Sequence, residues 1–559
     1  MTWAEPGAAW TGGRWSLDRR GDELADLAVD GVVVLRSIRL VLRDRDWGTV
    51  ALDVERCETS PAAMTLHVRG GGIAGTVAVR ADGARLEVAV DVTADSEIET
   101  NRLGLVVLHP PSVAGTELAV TQTGGAVKTT RFPRAVSPHQ PAFDIAGLAW
   151  EHRGLALSLA FEGDVFEMED QRNWTDASFK TYSRPLALPF PYRVAAGSRV
   201  RQAVTLHATG EASEALVDDD VILHPAGRVP ALGLGASTAP DPAPTVPPIG
   251  SFVRVELDLS SPAWRAALAR AAAAGLPLDV RFVRPSAPEL FAGASALRDL
   301  PLRTVGAFAG EGPGKHVSDA TTVAALRAAL REVGLDVPVV GGARTHFTEL
   351  NRGNDLLPDD LDGVGFAVTS LFHSRATAQL VESLGILNLI ARQAVELSGG
   401  VPVHIGPVTL RPHVDAVATT PEPVPRAPDL RDGYGPALLD AADPRQSAPE
   451  LAAWTVASLA ALTTPGIASV TFFEEWGPRG IRSSTGELYP VAEAFTTLAA
   501  LAGHPVEVGR SADSLVWVMR VTAPGGPVTL AANLDGVPRE VRVPTGILSL
   551  PAGAWLRAE

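Results

Sequence analysis

After residue 250 the hydrophobic pattern of the chain changes period, and that change limits the fold more than any other feature. Short, near-continuous apolar runs alternate with stretches in which apolar residues return every three or four positions. The runs are FVRVELDL (252–259), LDVRFVR (278–284), RTVGAFAG (303–310), VPVVGGAR (337–344), GVGFAVTS (363–370), VPVHIGPVTL (401–410) and ASVTFFEEW (468–476). Between them lie helical patterns such as AWRAALARAAAAG (263–275), ATTVAALRAALREVG (320–334), a long one over 376–397 and ELAAWTVASLAAL (450–462). Strands buried on both faces and joined through helices are what a parallel barrel requires, so residues 251–505 are expected to form a (β/α)8 TIM barrel. Seven of its strands are visible; the eighth is expected to be short, near 503–508.

Residues 1–223 alternate apolar with polar at period two, as in GTVAVRADGARLEVAVDVTA (75–94), and predict an N-terminal β-sandwich. The Pro/Gly-rich stretch 224–250 reads as a linker, and 506–559 returns to strands that join the first β-domain or form a small sheet on the barrel's flank. The fold class is thus multidomain, mixed α/β and β.

Charge and cysteine content exclude several functions. Lys and Arg number 48 against 64 Asp and Glu, a net charge of −16 without a basic run, which argues against a nucleic-acid partner. A single cysteine, Cys57, rules out an internal disulfide and a thiolate zinc cluster. The uncharged stretch 451–473 is cut by Pro465-Gly466 and reads as helix then strand, not as a membrane span. The N-terminus lacks a basic segment followed by an apolar one, so no leader is expected and a cytoplasmic location is. Nothing in the sequence assigns an oligomeric state.

Barrel sites lie at the C-terminal ends of the strands. The fourth visible strand is followed by His346, Glu349, Asn351 and Arg352, and the seventh ends in Glu474, Glu475 and Trp476. Two carboxyl groups facing one pocket suit acid/base work at a sugar C–O bond, since mutual repulsion and burial separate their pKa values. Glu349 with Glu474 or Glu475 is therefore the expected catalytic pair, on strands four and seven as in a large clan of barrel glycosidases. Pleat parity sends Phe472 and Glu474 to one face and Phe473 and Glu475 to the other. His373, His404, Arg411 and Arg445 add polar groups at strand ends and are expected to bind substrate. Their spacing matches no zinc motif, so no metal or cofactor is expected. Ser447 and Glu450 read as a capping box. No nucleophile elbow, dinucleotide fingerprint or P-loop is present.

The densest polar run lies in the β-domain, from Phe166 to Tyr182, and includes Asn173, Asp176 and Lys180. It reads as a network at the domain contact, as an edge that closes the barrel mouth and contacts substrate hydroxyls, or as both.

The stretch EDQRNWTDASFKTY (169–182) with PLALPFP (185–191) resembles the D-apionate lactonases of bacterial apiose catabolism. NRLG (101–104), LHP (108–110), SPHQP (137–141), TELNR (348–352) and DPRQ (443–446) extend the likeness over most of the chain. The resemblance implies hydrolysis of a small sugar lactone, the two barrel carboxylates acting as general base and general acid. A glycoside hydrolase acting on a short pentosyl glycoside, or a non-catalytic carbohydrate-binding protein, are the other readings of the same residues.

Overall fold

Period-two strands bury one face each and must curl or pair to cover it. In the computed structural model, which describes residues 7–213, 220–310, 315–439, 441–544 and 546–559, sixteen N-terminal strands form one antiparallel sheet running from Ala8–Gly12 to Asp53–Ser60. Its two ends meet. The Trp10 indole donates to Ser60 O (3.0 Å) and the Trp15 indole to Gly83 O (3.1 Å), so the sheet folds over itself around Trp15, Leu24, Leu66, Val79, Leu105 and Phe166. Residues 1–6, on which the absence of a leader was read, lie outside the described residues, as do 214–219 at the end of the β-domain.

The barrel sheet has eight parallel strands: β1 (Ala231–Gly235), β2 (Val253–Asp258), β3 (Leu278–Val283), β4 (Leu302–Phe308), β5 (Val340–Gly342), β6 (Gly363–Thr369), β7 (Val403–Thr409) and β8 (Ile467–Glu474). The first strand corrects the sequence reading. ALGLG, inside the stretch read as a linker, pairs with β2 and β8, and its five apolar or glycine residues were too short a run to register as a strand. The expected eighth strand near 503–508 is instead Pro505–Arg510, which pairs with His224–Arg228 in a separate five-stranded antiparallel sheet. Every strand ordinal therefore moves by one. Glu349 follows β5 and Glu474 ends β8, so the expectation of carboxylates on strands four and seven falls; β4 is followed by Ala309-Gly310 and β7 by Leu410-Arg411.

The C-terminal sheet covers the helix Glu450–Leu462, whose residues from Leu451 onward are all buried. This explains why the 451–473 stretch carries no charge: its helix is sandwiched between barrel and sheet, and β8 lies inside the barrel. No helix among the described residues is long and apolar enough to cross a membrane. Pro449, not Ser447, caps that helix, and the Ser447 hydroxyl turns back to Pro444 O, so the capping box does not form.

Candidate active site

Two hollows lie near the strand ends. The first, about 100 Å³, is the barrel mouth itself, lined by Glu256, Trp264, Arg284, Arg344, Glu422 and Glu474 among others. Strong ion pairs fill it. The Glu474 carboxylate accepts from Thr238 N (2.9 Å), Thr238 Oγ1 (2.9 Å) and Arg479 Nε (3.0 Å), which engages both of its oxygens. The pleat argument fails here. Phe473 has φ 46° at a register shift between β1 and β8, and this bulge turns both Phe473 and Glu474 to the mouth.

Glu475 points away from that hollow. Burial first, then Glu474, push its carboxyl up to about 7 against the pull of Arg482 and Arg270. A carboxyl whose pKa is higher in the folded than in the unfolded chain costs stability progressively as pH rises from the unfolded value to the folded one, and the full amount above it. Glu475→Gln is therefore expected to stabilise the protein by about 3 kcal/mol at pH 8 and to change nothing below pH 4, read from urea melts at the two pH values. Trp476 is buried, with the Arg270 guanidinium 5.1 Å from its ring centroid.

The second hollow is about 620 Å³ and lies between the β-domain and the ends of β6 and β7. Its lining has seven basic side chains (Arg39, Arg43, Arg102, Lys180, Arg352, Arg375, Arg411) against three acidic ones (Asp46, Glu169, Asp415), in a chain of net charge −16. The excess is built by sheet register. Strands Val32–Arg43, Arg102–His109, Phe179–Ser183 and Phe166–Asp170 are neighbours, with Arg43 directly opposite Arg102 and Lys180 opposite Glu169. Like charges facing each other across a ladder repel, and other contacts hold the pair: Arg43 Nη1 donates to Trp47 O (3.1 Å) and to Thr49 Oγ1, and the Arg102 guanidinium lies 5.3 Å from the Trp47 ring centroid. Burial, then Arg102 and Arg39, bring the Arg43 guanidinium down to about 10. Arg102 lies 3.8 Å above the Tyr182 ring, and its buried Nε has no hydrogen-bond partner.

Glu169 is the main counter-charge. It receives Lys180 Nζ at 2.5 Å and Trp174 Nε1 at 3.0 Å, with Arg352 at 3.8 Å. Burial opposes its ionisation, but Lys180, His373 and Arg352 together hold it below the usual carboxylate range.

His373 follows β6 and lines the same cavity. Its Nδ1 lies 2.7 Å from Asp176 Oδ2, which fixes the proton on Nδ1 and leaves the Nε2 lone pair available. Burial lowers its pKa and Asp176 only partly offsets this, so the ring is neutral at pH 7. Trp174 and Phe372, stacked at 4.8 Å and 2°, form the adjoining wall.

Of the residues expected from the sequence, Lys180, Arg352, His373 and Arg411 meet in this cavity, and Asp176 orients His373. The others do not. Glu349 sits in the first turn of the helix Phe347–Arg352 and lines neither hollow; burial raises its pKa, with Arg352 and Lys315 pulling the other way. His346 is buried behind Trp174 and Phe372. Asn351 donates to Asn173 Oδ1 (2.9 Å) and Val136 O (3.1 Å), and Asn173 donates to Ser137 O, so both tie the domains together. Arg445 bridges Asp443 to Arg375 O and Thr377 Oγ1. His404 lies deep in the barrel against Ser469 Oγ (2.8 Å), its pKa pushed down by burial to about 4. Among the described residues no group of His, Cys, Asp or Glu has the geometry to hold a metal ion. Sequence reasoning missed Arg39, Arg43 and Arg102. For Arg39 and Arg43 the signal was there: charged residues recurring inside VVVLRSIRLVLR, a strand otherwise apolar except for Ser37.

Residues 2–211 match the model of the D-apionate lactonase N-terminal domain and residues 250–503 that of the D-apionate lactonase TIM barrel domain. The chain belongs to the D-apionate lactonase family. A D-apionate lactonase of Brucella anthropi is 27% identical over 551 residues, covering 88% of this chain and 87% of that protein. Among solved structures, a GH30 endoxylanase from Clostridium papyrosolvens is 11% identical, with 60% of this chain and 98% of that one covered at a TM-score of 0.37. A galactose 1-epimerase from Lactobacillus acidophilus is 8% identical, with 36% and 91% covered at a TM-score of 0.25. The cationic cavity draws its lining from both of the segments that match the lactonase family models.

Proposed function

We propose that this protein hydrolyses the lactone of a small sugar acid, with D-apionolactone as the expected substrate, in the cavity between the β-domain and the barrel. One observation carries the reading. A neutral imidazole, oriented by Asp176, shares a cavity with the like-charged Arg43–Arg102 pair and Lys180. That combination suits acyl transfer, in which a base removes a proton from water and negative charge develops on the carbonyl oxygen.

In this mechanism His373 Nε2 takes a proton from water as the water oxygen bonds to the lactone carbonyl carbon. The tetrahedral oxyanion is met by guanidinium and ammonium groups already in place. The ring C–O bond then breaks, and the imidazolium returns its proton to the departing ring oxygen. The carboxylic acid so formed releases its proton to solvent and leaves a carboxylate in a cationic cavity, and Asp176 stabilises the transient imidazolium. The two barrel carboxylates are not used: Glu474 is held by three donors and Glu349 lines neither hollow.

The test is acid release from D-apionolactone and from four- and five-carbon aldonolactones, followed in a pH-stat with spontaneous hydrolysis subtracted. Lactone turnover without release of phenol from aryl pentosides is expected. Turnover of the aryl glycosides alone would overturn the reading in favour of a glycosidase. Lys180→Met is expected to lower kcat about 10²-fold by removing one cation from the oxyanion's surroundings.

A further inference from the structure

The barrel mouth, which the proposed reaction leaves unused, is built around an arginine fork that already holds a carboxylate. We infer that it is a second binding site, for the carboxylate of a sugar acid, and that Glu422 of the chain's own loop occupies it in the free protein. The link to a sugar acid as product rests on the lactonase reading; the carboxylate site itself does not.

Arg344 projects from the end of β5 and is almost wholly buried. Its Nη1 donates to Glu422 Oε1 (2.7 Å) and its Nη2 to Glu422 Oε2 (2.9 Å), the two-pronged geometry by which a guanidinium grips a free carboxylate. Arg284, at the end of β3, adds a second cation with Nη1 at 3.7 Å from Glu422 Oε2, and its Nε is buried without a partner. Glu256 fixes Arg344 from the other side (2.7 Å), and Asp258 pairs with Arg284. The fork is thus held in shape by the barrel, independently of Glu422.

The carboxylate that fills it comes from the segment least committed to the fold. Residues 420–425 read TPEPVP and form neither helix nor strand. The loop is pinned beside that segment, where Thr419 and Thr420 donate to Asp46 (2.7–2.9 Å), and again where Leu430 O accepts from Asp241 N (2.9 Å). Between the pins, Glu422 ties the stretch to the barrel, and its release breaks no ladder of backbone bonds. The surroundings suit a polyhydroxylated acid. Glu256 and Asp258 offer acceptors to hydroxyl groups, and Trp264 offers a flat apolar wall to sugar C–H groups. On the other side of the Thr419–Thr420 pin the same loop walls the larger cavity through Arg411, Pro412, Asp415 and Val417.

The experiment is calorimetric titration of the full chain with sodium L-threonate at constant ionic strength, comparing wild type, Glu422→Ala, and Glu422→Ala combined with Arg344→Gln or Arg284→Gln. Glu422→Ala is expected to show an added binding component at least tenfold tighter than any wild-type binding at the mouth. Either arginine substitution is expected to remove or severely weaken it, and L-threonamide, which lacks the charge, is expected not to produce it. An unchanged titration for Glu422→Ala would overturn the inference, as would a new component that persists in Arg284→Gln. If Arg344→Gln fails to fold, Arg284→Gln carries the decision. A chain that hydrolyses no lactone but gives the expected titration would refute the proposed function and leave this site standing.

Discussion

His373→Asn is expected to lower kcat on D-apionolactone by roughly 10²–10⁴-fold while leaving the melting temperature within a few degrees, because the ring is a base and not a core element. The structural basis is the 2.7 Å contact between His373 Nδ1 and Asp176 Oδ2, which presents Nε2 to the cavity. Asp176→Asn keeps the shape but no longer favours the productive tautomer or the imidazolium, so an intermediate loss is expected. The pH dependence follows from the sign of the shift. Burial holds His373 below its ordinary value, so the ring stays unprotonated through neutral pH. The rate is expected to be level from pH 7 upward and to fall only below the usual histidine range, as the base is protonated. A rate that rises as pH falls from 7 to 5.5 would exclude His373 as the base.

Arg172→Met is expected to destabilise the protein by about 3–5 kcal/mol. Arg172 is 1% exposed and forms a two-pronged pair with Asp170, Nε to Oδ1 at 2.8 Å and Nη2 to Oδ2 at 2.7 Å. It also donates to Pro133 O (2.9 Å), Arg134 O (3.2 Å) and Ala135 O (3.0 Å), fixing the segment from which Val136 and Ser137 reach the barrel side. Asp170 accepts from Ser137 N (2.8 Å), and Val136 N donates to Gln393 Oε1 (2.7 Å) on the barrel's longest helix, Thr377–Leu397. Removing the guanidinium leaves a buried carboxylate and three carbonyls without their donor. Calorimetric melting measures the cost. A loss below 1 kcal/mol would mean that the segment 133–137 holds its place by other means.

The alternation of apolar runs and helical patterns made the barrel legible, because strands covered on both faces leave a continuous apolar signature. The first strand, Ala231–Gly235, escaped notice for a physical reason. It is five residues long, glycine-rich, and sits beside a Pro-rich stretch, so neither length nor β-branched composition marks it. That one omission moved Glu349 and the 474–475 pair onto the wrong strands and suggested an arrangement of carboxylates that the fold does not build. The site was only partly readable, since cross-strand partners such as Arg43 and Arg102 are distant in sequence and meet only through sheet register. The run Phe166–Tyr182 was readable as a domain contact, but none of it lines the barrel mouth that it was expected to close. Asn173 ties the β-domain to the barrel, whereas Lys180 faces the cavity and Asp176 orients a ring that lines it. Local density of polar groups locates such a contact, but it does not separate the two roles.

The most direct test of where the chemistry occurs is to measure kcat/KM for acid release from D-apionolactone in His373→Asn and Glu349→Gln side by side with wild type. A loss of at least 10²-fold in His373→Asn with Glu349→Gln within about twofold of wild type is the expected result, since only the first touches the interdomain cavity. The reverse pattern, activity surviving in His373→Asn and lost in a folded Glu349→Gln, would contradict the assignment and return the reaction to a barrel carboxylate.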